Sequence, residues 1–354
     1  MTGGYRTMML QAVLANVEVV ERKLARVHLL LGRPVRVHAF SGYGHGQWAS
    51  VGGRVLVQAQ PRPAPSSGSW WAVARANLLP FMSVEVPHAL VRVTLGNQHL
   101  DVRADADGYV QALVQGVQLP PGRHAATLTP LEPGGSPAHT RVHVPHPAAD
   151  VAIVSDVDDT IVDSGIAHGL AATLRTTLLR EQSTRVPLAG APELYRALAG
   201  GAAGGVERPF FYLSTSPWNL ANFLEGFLTR HGFPAGPLVL TDWGPGADGL
   251  LRIRTRTHKL SALRRLAEAL PDVRFVLIGD SAQEDPAIYA EFSREHTGRV
   301  AAIYIRRAGK GPVAERRYEQ AELLLADAGV PYVIAGDTAA MYEHAQTIGL
   351  LRAG

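Results

Sequence analysis

Acidic and hydroxyl-bearing residues follow four apolar runs in the second half of the chain. The four segments are Ser155-Asp156-Val157-Asp158-Asp159-Thr160, Ser214-Thr215-Ser216-Pro217-Trp218, Thr241-Asp242-Trp243 and Gly279-Asp280-Ser281-Ala282-Gln283-Glu284-Asp285. Carboxylates held close together raise one another's pKa values, so a group of this kind needs a cation. All-oxygen ligands select a hard ion, and a few carboxylates combined with a phosphate group favour Mg²⁺.

The elements that must bring these segments together are the apolar runs and the helical patterns between them. The runs cover residues 151–154, 210–213, 238–240, 275–278, 301–305 and 332–334, and helical patterns cover 219–230, 259–270, 313–328 and 338–350. Apolar strands without alternation, separated by helices, are typical of a parallel sheet covered on both faces. Such sheets bind their ligands at the carboxyl ends of the strands, which is where the polar segments lie.

The order of these motifs resembles the haloacid-dehalogenase (HAD) superfamily of phosphotransferases. The shared features are Asp156-x-Asp158-x-Thr160 after a strand, a hydroxyl after the next strand, a lysine opening a later helix, and Gly279-Asp280 with Asp285. More narrowly, four strings resemble the catalytic domain of App1-type phosphatidate phosphatases, over roughly residues 148–335. They are Ser-Asp-Val-Asp-Asp-Thr-Ile (155–161), Tyr-Leu-Ser-Thr-Ser-Pro-Trp-Asn-Leu (212–220), His258-Lys259 and Ile-Gly-Asp-Ser-Ala-Gln-Glu-Asp-Pro (278–286).

The resemblance implies an α/β fold, a HAD-like Rossmannoid parallel-sheet domain with a minimal cap, and a role for each motif residue. Asp156 would attack phosphorus and Asp158 would act as general acid and base. Ser214 would donate a hydrogen bond to the phosphoryl group, and Lys259 would neutralise the charge of that group while restraining Asp156. Mg²⁺ would be held by Asp156, the backbone carbonyl of Asp158 and Asp280. Thr160 and Asp285 would contact the metal ligands and not the metal itself, and Asp285 would orient either those ligands or Lys259.

Four further residues are candidates for substrate contact, and three of them have a structural alternative. Thr215 adjoins Ser214, and Trp218 either lines the pocket or packs against the start of the next helix. His258 either contacts substrate or caps a helix, and Arg306 either attracts an anionic head group or is solvated. Capping of helices and turns is the alternative for the acids, most strongly for Asp159, Asp163 and Glu284, while Lys259 could be a solvated helix residue.

The first half of the chain has a different periodicity. A helical pattern over residues 8–31 is followed by about seven short segments with alternating apolar residues, around residues 35–39, 55–59, 91–95, 100–102, 109–110, 127–128 and 142–144. This pattern predicts an antiparallel β-sandwich or small barrel after a leading helix. Pro145-His146-Pro147 marks a boundary, so we expect domains at 1–147 and 148–354. Membrane recruitment, partner contact and shaping of the site remain open roles for the first domain.

Four motifs in the first half admit a functional interpretation. Trp70-Trp71 could meet a membrane or a carbohydrate, but a segment covering a sheet end is favoured. Gly42, Gly44 and Gly46 follow a strand without a helix pattern behind them, so nucleotide binding is poorly supported. Asp105-Ala106-Asp107-Gly108 is most simply a turn. His139, His143 and His146 could gather a metal ion, although no carboxylate or fourth ligand lies nearby in the sequence.

Composition excludes several classes of protein. The 354 residues include no cysteine, so there is no disulfide framework, thiolate metal site or cysteine nucleophile. A net charge of +3 does not support nucleic-acid binding. No apolar run is long enough for a membrane span, and the N-terminus lacks a cleavage site, so we expect a soluble cytoplasmic protein, with peripheral membrane contact left open.

The motifs together predict a Mg²⁺-dependent phosphomonoester hydrolase that acts through an aspartyl-phosphate on phosphatidate or a related lipid phosphate. The stretch between Asp156 and Ser214 leaves little room for a large cap, and an open site suits substrates whose bulk stays outside. A HAD phosphatase for a soluble or protein-borne phosphate is one alternative, and a non-catalytic phospholipid-binding module is another. The sequence does not set the oligomeric state.

Overall fold

The computed structural model describes residues 33–57, 84–132, 134–157, 187–200, 206–241, 251–309 and 311–352. The described residues form two compact units, and within residues 33–241 the first ends at Val144 and the second begins at Pro145. The domain boundary expected between residues 147 and 148 remains a prediction. The predicted leading helix over 8–31 and the pair Trp70-Trp71 lie outside the described residues. None of the described helices is long and apolar enough to span a membrane.

The first unit is a curled sheet rich in antiparallel pairs. Its strands, among the described residues, are β1 (Val35–His45), β2 (Trp48–Val57), β3 (Val84–Glu85), β4 (Leu90–Leu95), β5 (Gln98–Arg103), β6 (Tyr109–Gln115), β7 (Gly122–Pro130) and β8 (Ala138–Val144). The order is β3-β2-β1-β8-β7-β4-β5, with β6 pairing β2 at the side, and the β1–β8 pair is parallel. Alternating burial along β4 and β6 gathers one face of the sheet into a core of small aliphatic side chains.

Each segment of alternating apolar residues falls on an observed strand, with Ala59 outside the described residues. The two-residue strand β3 was not predicted, because two residues carry no periodic signal. The strands are hydrogen-bonded into a single sheet within the described part of the chain, so the division into two stacked sheets of a sandwich remains a prediction.

The glycine motif of the first half shapes a hairpin. Gly42 and Gly44 lie within β1, and a Cβ atom on Gly42 would come 2.4 Å from the carbonyl oxygen of Ser50 on β2. Gly46 has φ +58° in the turn between the two strands. These glycines therefore allow close approach of two backbones, and they do not open a helix as a nucleotide-binding loop would.

The acidic motif of the first half is a tight turn, as predicted. Asp105 Oδ1 accepts hydrogen bonds from the backbone amides of Asp107, at 2.9 Å, and Tyr109, at 2.8 Å. Gly108 has φ +78°, which suits glycine. With its carboxylate engaged by the backbone, Asp105 shapes the turn between β5 and β6.

The three histidines near the end of the first unit have separate local partners. His139 Nδ1 lies 3.1 Å from Thr127 Oγ1, and His146 Nδ1 accepts from the amide of Ala148 at 3.1 Å. Burial, helped by the positive charges of Arg123 and Arg141, lowers the pKa of His143 to about 4. Among the described residues, the group whose ligand atoms lie close enough for a metal ion is elsewhere, in the second unit.

The second unit is the predicted parallel sheet. Its described strands are β9 (Val151–Asp156), β10 (Phe210–Pro217), β11 (Leu238–Thr241), β12 (Arg274–Asp280), β13 (Val300–Arg306) and β14 (Tyr332–Ala335), in the order β11-β10-β9-β12-β13-β14. All pairs are parallel. The helices described are α1 (Ala191–Gly200), α2 (Ala221–Arg230), α3 (Leu251–Ala269), α4 (Asp285–Glu295), α5 (Pro312–Asp327) and α6 (Thr338–Thr347). Strands β9 and β12 are buried almost throughout, which explains why their sequences show no alternation.

Helix α3 corrects one prediction. The sequence pattern starts the helix at Lys259, but α3 begins at Leu251, so Lys259 and His258 both lie inside it. His258 therefore does not cap a helix. Residues 251–258 read Leu-Arg-Ile-Arg-Thr-Arg-Thr-His, which has no 3.6-residue apolar period, and so the first two turns carried no helical signal. The other three helices predicted for the second half of the chain agree with the observed ones to within one turn.

Candidate functional site

Asp156 is the last residue of β9, at the point where the strand order reverses. From β9 the chain passes to β10 on one side of the sheet, and the later strand β12 pairs on the other side. A crevice forms at the carboxyl end of a parallel sheet at such a switch point. Asp156 is fully buried there. The topology thus places the first predicted site residue where ligands of this architecture bind.

Lys259 reaches Asp156 from helix α3. Its Nζ atom donates to Asp156 Oδ1 at 2.7 Å and to Asp285 Oδ1 at 2.5 Å, and the side chain has no exposed surface. Burial alone would lower the pKa of Lys259. The charges of Asp156 and Asp285, with their hydrogen bonds, outweigh burial and raise the pKa well above its ordinary value. Lys259 is therefore a permanent cation that links two predicted site carboxylates, and the alternative of a solvated helix residue is wrong.

Asp280 and Asp285 are held by the turn that joins β12 to α4. Asp280 Oδ1 accepts from the backbone amides of Ala282, at 2.6 Å, and Gln283, at 3.0 Å. Asp285 Oδ2 accepts from the amide of Asp280 at 3.2 Å, while its other oxygen faces Lys259. A Cβ atom on Gly279 would lie 2.5 Å from Asp285 Oδ2. The glycine before Asp280 is thus required for Asp285 to approach the strand end.

Three of these carboxylates form a group suited to a metal ion. One oxygen atom each from Asp156, Asp280 and Asp285 lie within 4.8 Å of one another, and all three side chains are buried. Hard oxygen donors from carboxylates match Mg²⁺ better than a softer ion. The donor set in the structure therefore fits the predicted cofactor.

The structure places Ser214, Thr215 and Trp218 at or next to the same sheet edge. Strand pairing sets Leu213 beside Asp156, so Ser214, which is fully buried, follows one position beyond it on β10. Thr215 comes next in β10 and is half-buried. Trp218 is 5% exposed in a short 3₁₀ turn, Trp218–Leu220, that leads into α2. This burial suits the packing alternative for Trp218.

The last two candidates for substrate contact lie on different elements. Arg306 ends β13 and pairs in register with Asp280. His258 is half-buried in α3, and burial lowers its pKa to about 4, so the imidazole is neutral at physiological pH. Its Nε2 atom is buried without a hydrogen-bond partner. Asp158, Thr160, Asp159, Asp163 and Asp242 lie outside the described residues, so their predicted roles remain predictions.

Two groups at the site were missed by sequence reasoning. The amide of Gln283 connects Lys259 Nζ, 3.4 Å from its Oε1, with Asp280 Oδ2, 3.3 Å from its Nε2. Gln283 lies within residues 278–286, one of the strings that resemble App1-type catalytic domains. Its place in that string was the sequence feature that could have identified it as a site residue. Tyr195 of α1 bonds to Ser155 next to Asp156. Nothing in the local sequence of α1 marks this residue.

Comparison with known proteins gives a match to the second unit. Residues 151–307 match the family described as "Phosphatidate phosphatase APP1, catalytic domain". Phosphatidate phosphatase APP1 of Saccharomyces cerevisiae is 26% identical over 156 residues, covering 44% of this chain and 26% of the yeast protein. An uncharacterized protein of Schizosaccharomyces pombe is 28% identical over 160 residues, 44% of this chain and 25% of that protein. The match thus spans about a quarter of the length of each of these relatives.

A similarity to a solved structure is weaker. XAC1771, a carbohydrate acetylesterase from Xanthomonas citri, aligns over 87% of this chain and 72% of that chain with 11% identity and a TM-score of 0.29. At this TM-score the alignment supports no conclusion about fold or function.

Proposed function

Since residues 151–307 match the family of App1-type catalytic domains, we propose that this chain is a Mg²⁺-dependent phosphomonoester hydrolase of the HAD superfamily. The observation that carries the proposal is the buried cluster of Asp156, Lys259, Asp280 and Asp285 at the carboxyl edge of the parallel sheet. Burial of four charged side chains is costly, and it persists where the charges serve chemistry as well as one another.

Asp156 is the proposed nucleophile. One of its carboxylate oxygens would form a bond to phosphorus as the bond from phosphorus to the leaving oxygen breaks, which gives an aspartyl-phosphate. Water would then attack the same phosphorus, release inorganic phosphate and restore the carboxylate. The contact between Asp156 Oδ1 and Lys259 Nζ, at 2.7 Å, fixes the orientation of the Asp156 carboxylate.

Lys259 and Ser214 are the proposed phosphoryl-binding groups. The ammonium of Lys259 would neutralise charge on the transferring group, because it already lies against the nucleophile. Asp285 holds the ammonium in place from the other side. Ser214, one position beyond the Asp156 register on the adjacent strand, would donate its hydroxyl proton to a phosphoryl oxygen.

Asp158 is the proposed general acid and base, by resemblance to the HAD superfamily. It would give a proton to the leaving oxygen and take one from the attacking water. Asp156, Asp280 and the backbone carbonyl of Asp158 would hold Mg²⁺, and when bound the ion would neutralise charge on the phosphoryl oxygens. Lys259 and Ser214, which belong to the described part of the site, would also stabilise the negative charge on the phosphoryl oxygens.

For the substrate, we propose phosphatidate or a related lipid phosphate, with peripheral contact at membranes in the cytoplasm. The similarity to yeast phosphatidate phosphatase APP1 supports the lipid substrate. A HAD phosphatase for soluble or protein-borne phosphate keeps the same chemistry. A module that binds phospholipid without hydrolysis is less well supported, because Asp156 and Lys259 are both in place.

The test is phosphate release by the purified full chain with Mg²⁺. Wild type is expected to hydrolyse phosphatidate in mixed vesicles, and Asp156→Asn is expected to lose at least about a thousandfold in kcat, because the amide cannot act as nucleophile. Asp272→Asn, an exposed aspartate in the same unit, is the matched control and should keep wild-type activity.

Assays with three substrates distinguish the lipid phosphatase from the soluble-phosphate phosphatase and from the binding module. Hydrolysis of a water-soluble aryl phosphate and a phosphopeptide with no turnover of vesicle-borne phosphatidate would overturn the lipid assignment and retain the phosphatase. Vesicle binding with no phosphate release from any of the three substrates would overturn the enzyme and support the binding module.

A further inference from the structure

A buried chain of hydrogen bonds runs from helix α1 to the backbone of Asp156. The Ser155 hydroxyl donates to the backbone carbonyl of Asp156 at 2.7 Å, and Ser155 Oγ lies 2.7 Å from the phenolic oxygen of Tyr195. A serine hydroxyl has one proton, and here that proton points to the Asp156 carbonyl. Tyr195 must therefore be the donor to Ser155, so the chain runs in one direction.

Both hydroxyl-bearing residues are sealed from solvent. Ser155 is fully buried and Tyr195 is 1% exposed. Burial, reinforced by the negative charge of Asp156, raises the pKa of the Tyr195 phenol above its ordinary value, so the phenol stays protonated and able to donate. No solvent water reaches these atoms to replace a lost hydrogen bond, and removal of one hydroxyl leaves its partner unsatisfied.

The position of the Tyr195 hydroxyl is set by aromatic packing. The ring stacks on Phe210 of β10 with centroids 5.5 Å apart, and Phe233 meets it edge-on at 5.3 Å. Close-packed rings of this kind allow little lateral movement. The hydroxyl is therefore held at a fixed point behind β9.

The hydrogen-bond chain acts at Asp156, the last residue of β9. Pairing of β9 with β12 ends at Ser155, and pairing with β10 ends at Asp156. The Asp156 carbonyl carbon is bonded directly to the Asp156 Cα atom, so a hydrogen bond at this carbonyl oxygen restrains the backbone torsion beside the atom that carries the carboxylate side chain. The Ser155 hydroxyl adds a side-chain donor to the strand pairing at Asp156, the residue whose orientation matters most for attack on phosphorus.

We propose that Ser155 and Tyr195 are positioning residues that hold the backbone of Asp156 so that its carboxylate is aligned for attack on the phosphoryl group. The proposal rests on the proposed function, in which Asp156 is the nucleophile. It extends the site to helix α1, which contributes no residue in contact with the reacting atoms.

The first test compares two tyrosines that share the same core. Tyr195→Phe removes the hydroxyl of the chain. Tyr212→Phe, the matched control, removes the hydroxyl of an equally buried side chain, which donates at 2.7 Å to the carbonyl of Pro234. Both variants should lose a similar amount of thermal stability. Only Tyr195→Phe should lower kcat, by about tenfold with KM unchanged, because misalignment affects the reaction step and not substrate binding.

A second pair of variants tests whether the two hydroxyls act in series. Ser155→Ala should lower kcat at least as far as Tyr195→Phe does. The double variant should be no worse than Ser155→Ala alone, because removal of Ser155 already disconnects Tyr195 from Asp156. Equal kcat values for Tyr195→Phe and Tyr212→Phe, or additive losses in the double variant, would overturn the proposal.

Crystal structures of the same two tyrosine variants separate this inference from the proposed function. An inactive wild type would refute the phosphatase, yet the structures would still test the positioning role. The 2.7 Å contact between Asp156 Oδ1 and Lys259 Nζ should change in Tyr195→Phe and stay as it is in Tyr212→Phe. An unmoved Asp156 in Tyr195→Phe would refute the positioning role.

Discussion

At the scale of single residues, Lys259 determines the electrostatics of the site. It is a fully buried lysine, and its ammonium contacts carboxylates that lie 103 and 26 residues away in the chain. Two carboxylates without this cation would face each other in a medium of low dielectric constant, where repulsion is strong. The lysine is therefore needed both for the folded state and for the proposed chemistry.

Replacement of Lys259 by methionine tests this dual role. Lys259→Met is expected to lower the free energy of unfolding by about 3–5 kcal/mol, because it leaves buried carboxylates without their ammonium partner. Phosphatase kcat should fall at least about a thousandfold. Arg265→Met, an exposed cation on the same helix, is the control. Denaturant unfolding and phosphate release measure the two effects, and retention of both by Lys259→Met would contradict the assignment.

At the scale of elements, the turn between β12 and α4 places two carboxylates by backbone geometry. Asp280 ends the strand and Asp285 begins the helix, so the two acids belong to different elements and are joined by hydrogen bonds across the turn. Ion pairs between exposed side chains, such as Arg264 with Glu295, then connect α3 with α4. The elements that carry Lys259 and Asp285 are thus in direct contact.

The tight space at Gly279 gives a prediction for this turn. Gly279→Ala is expected to displace the Asp285 carboxylate, because the added Cβ would lie 2.5 Å from Oδ2 and 2.8 Å from Cβ of Asp285. Activity should fall at least about tenfold and the protein should be destabilised by about 1–3 kcal/mol.

Gly226→Ala serves as the matched control for that variant. Gly226 lies in α2 with no atom within 4 Å of an added Cβ, so the same substitution there should stabilise the protein by about 0.5–1 kcal/mol. Thermal melts and phosphate release on both variants decide the matter. Equal stability changes in the two variants would show that Asp285 does not need the glycine.

At the scale of the whole molecule, each compact unit has its own hydrophobic core, and the proposed chemistry belongs to the second. Arg208 joins distant parts of that second unit. Its guanidinium is 3% exposed and donates to Asp150, just before β9, and at 2.7 Å to the carbonyl of Leu350, near the end of the chain. These hydrogen bonds of Arg208 lie at the amino-terminal ends of the parallel strands, and the proposed site lies at their carboxyl-terminal ends.

A substitution at Arg208 should therefore lower the stability of the protein without lowering its activity. Arg208→Met is expected to lower the free energy of unfolding by about 2 kcal/mol or more, since the Leu350 carbonyl and Asp150 lose their donor. The kcat at 25 °C should stay within about twofold of wild type, because the site at the other edge is untouched. Arg230→Met, exposed at the end of α2, is the control. A large loss of kcat at full stability would contradict this separation.

The sequence by itself determined which residues could do chemistry and at which edge of which sheet they meet. Apolar runs without alternation show buried parallel strands, and the carboxyl ends of such strands share one edge, so Asp156, Ser214 and Asp280 could be placed there from local patterns. The match of residues 151–307 to the App1 catalytic domain agrees with that reading.

The resemblance implies that Lys259 restrains Asp156, but only the tertiary structure decided the geometry of that contact and brought Tyr195 to Ser155. Lys259 reaches Asp156 from the middle of a helix whose first turns have no helical period, and Tyr195 reaches Ser155 from a helix with no motif at all. Contacts of this kind depend on how far each helix is shifted and rotated on the sheet, and that is set by packing of core side chains from many segments. No local spacing records it, because the partners are separated by tens of residues along the chain.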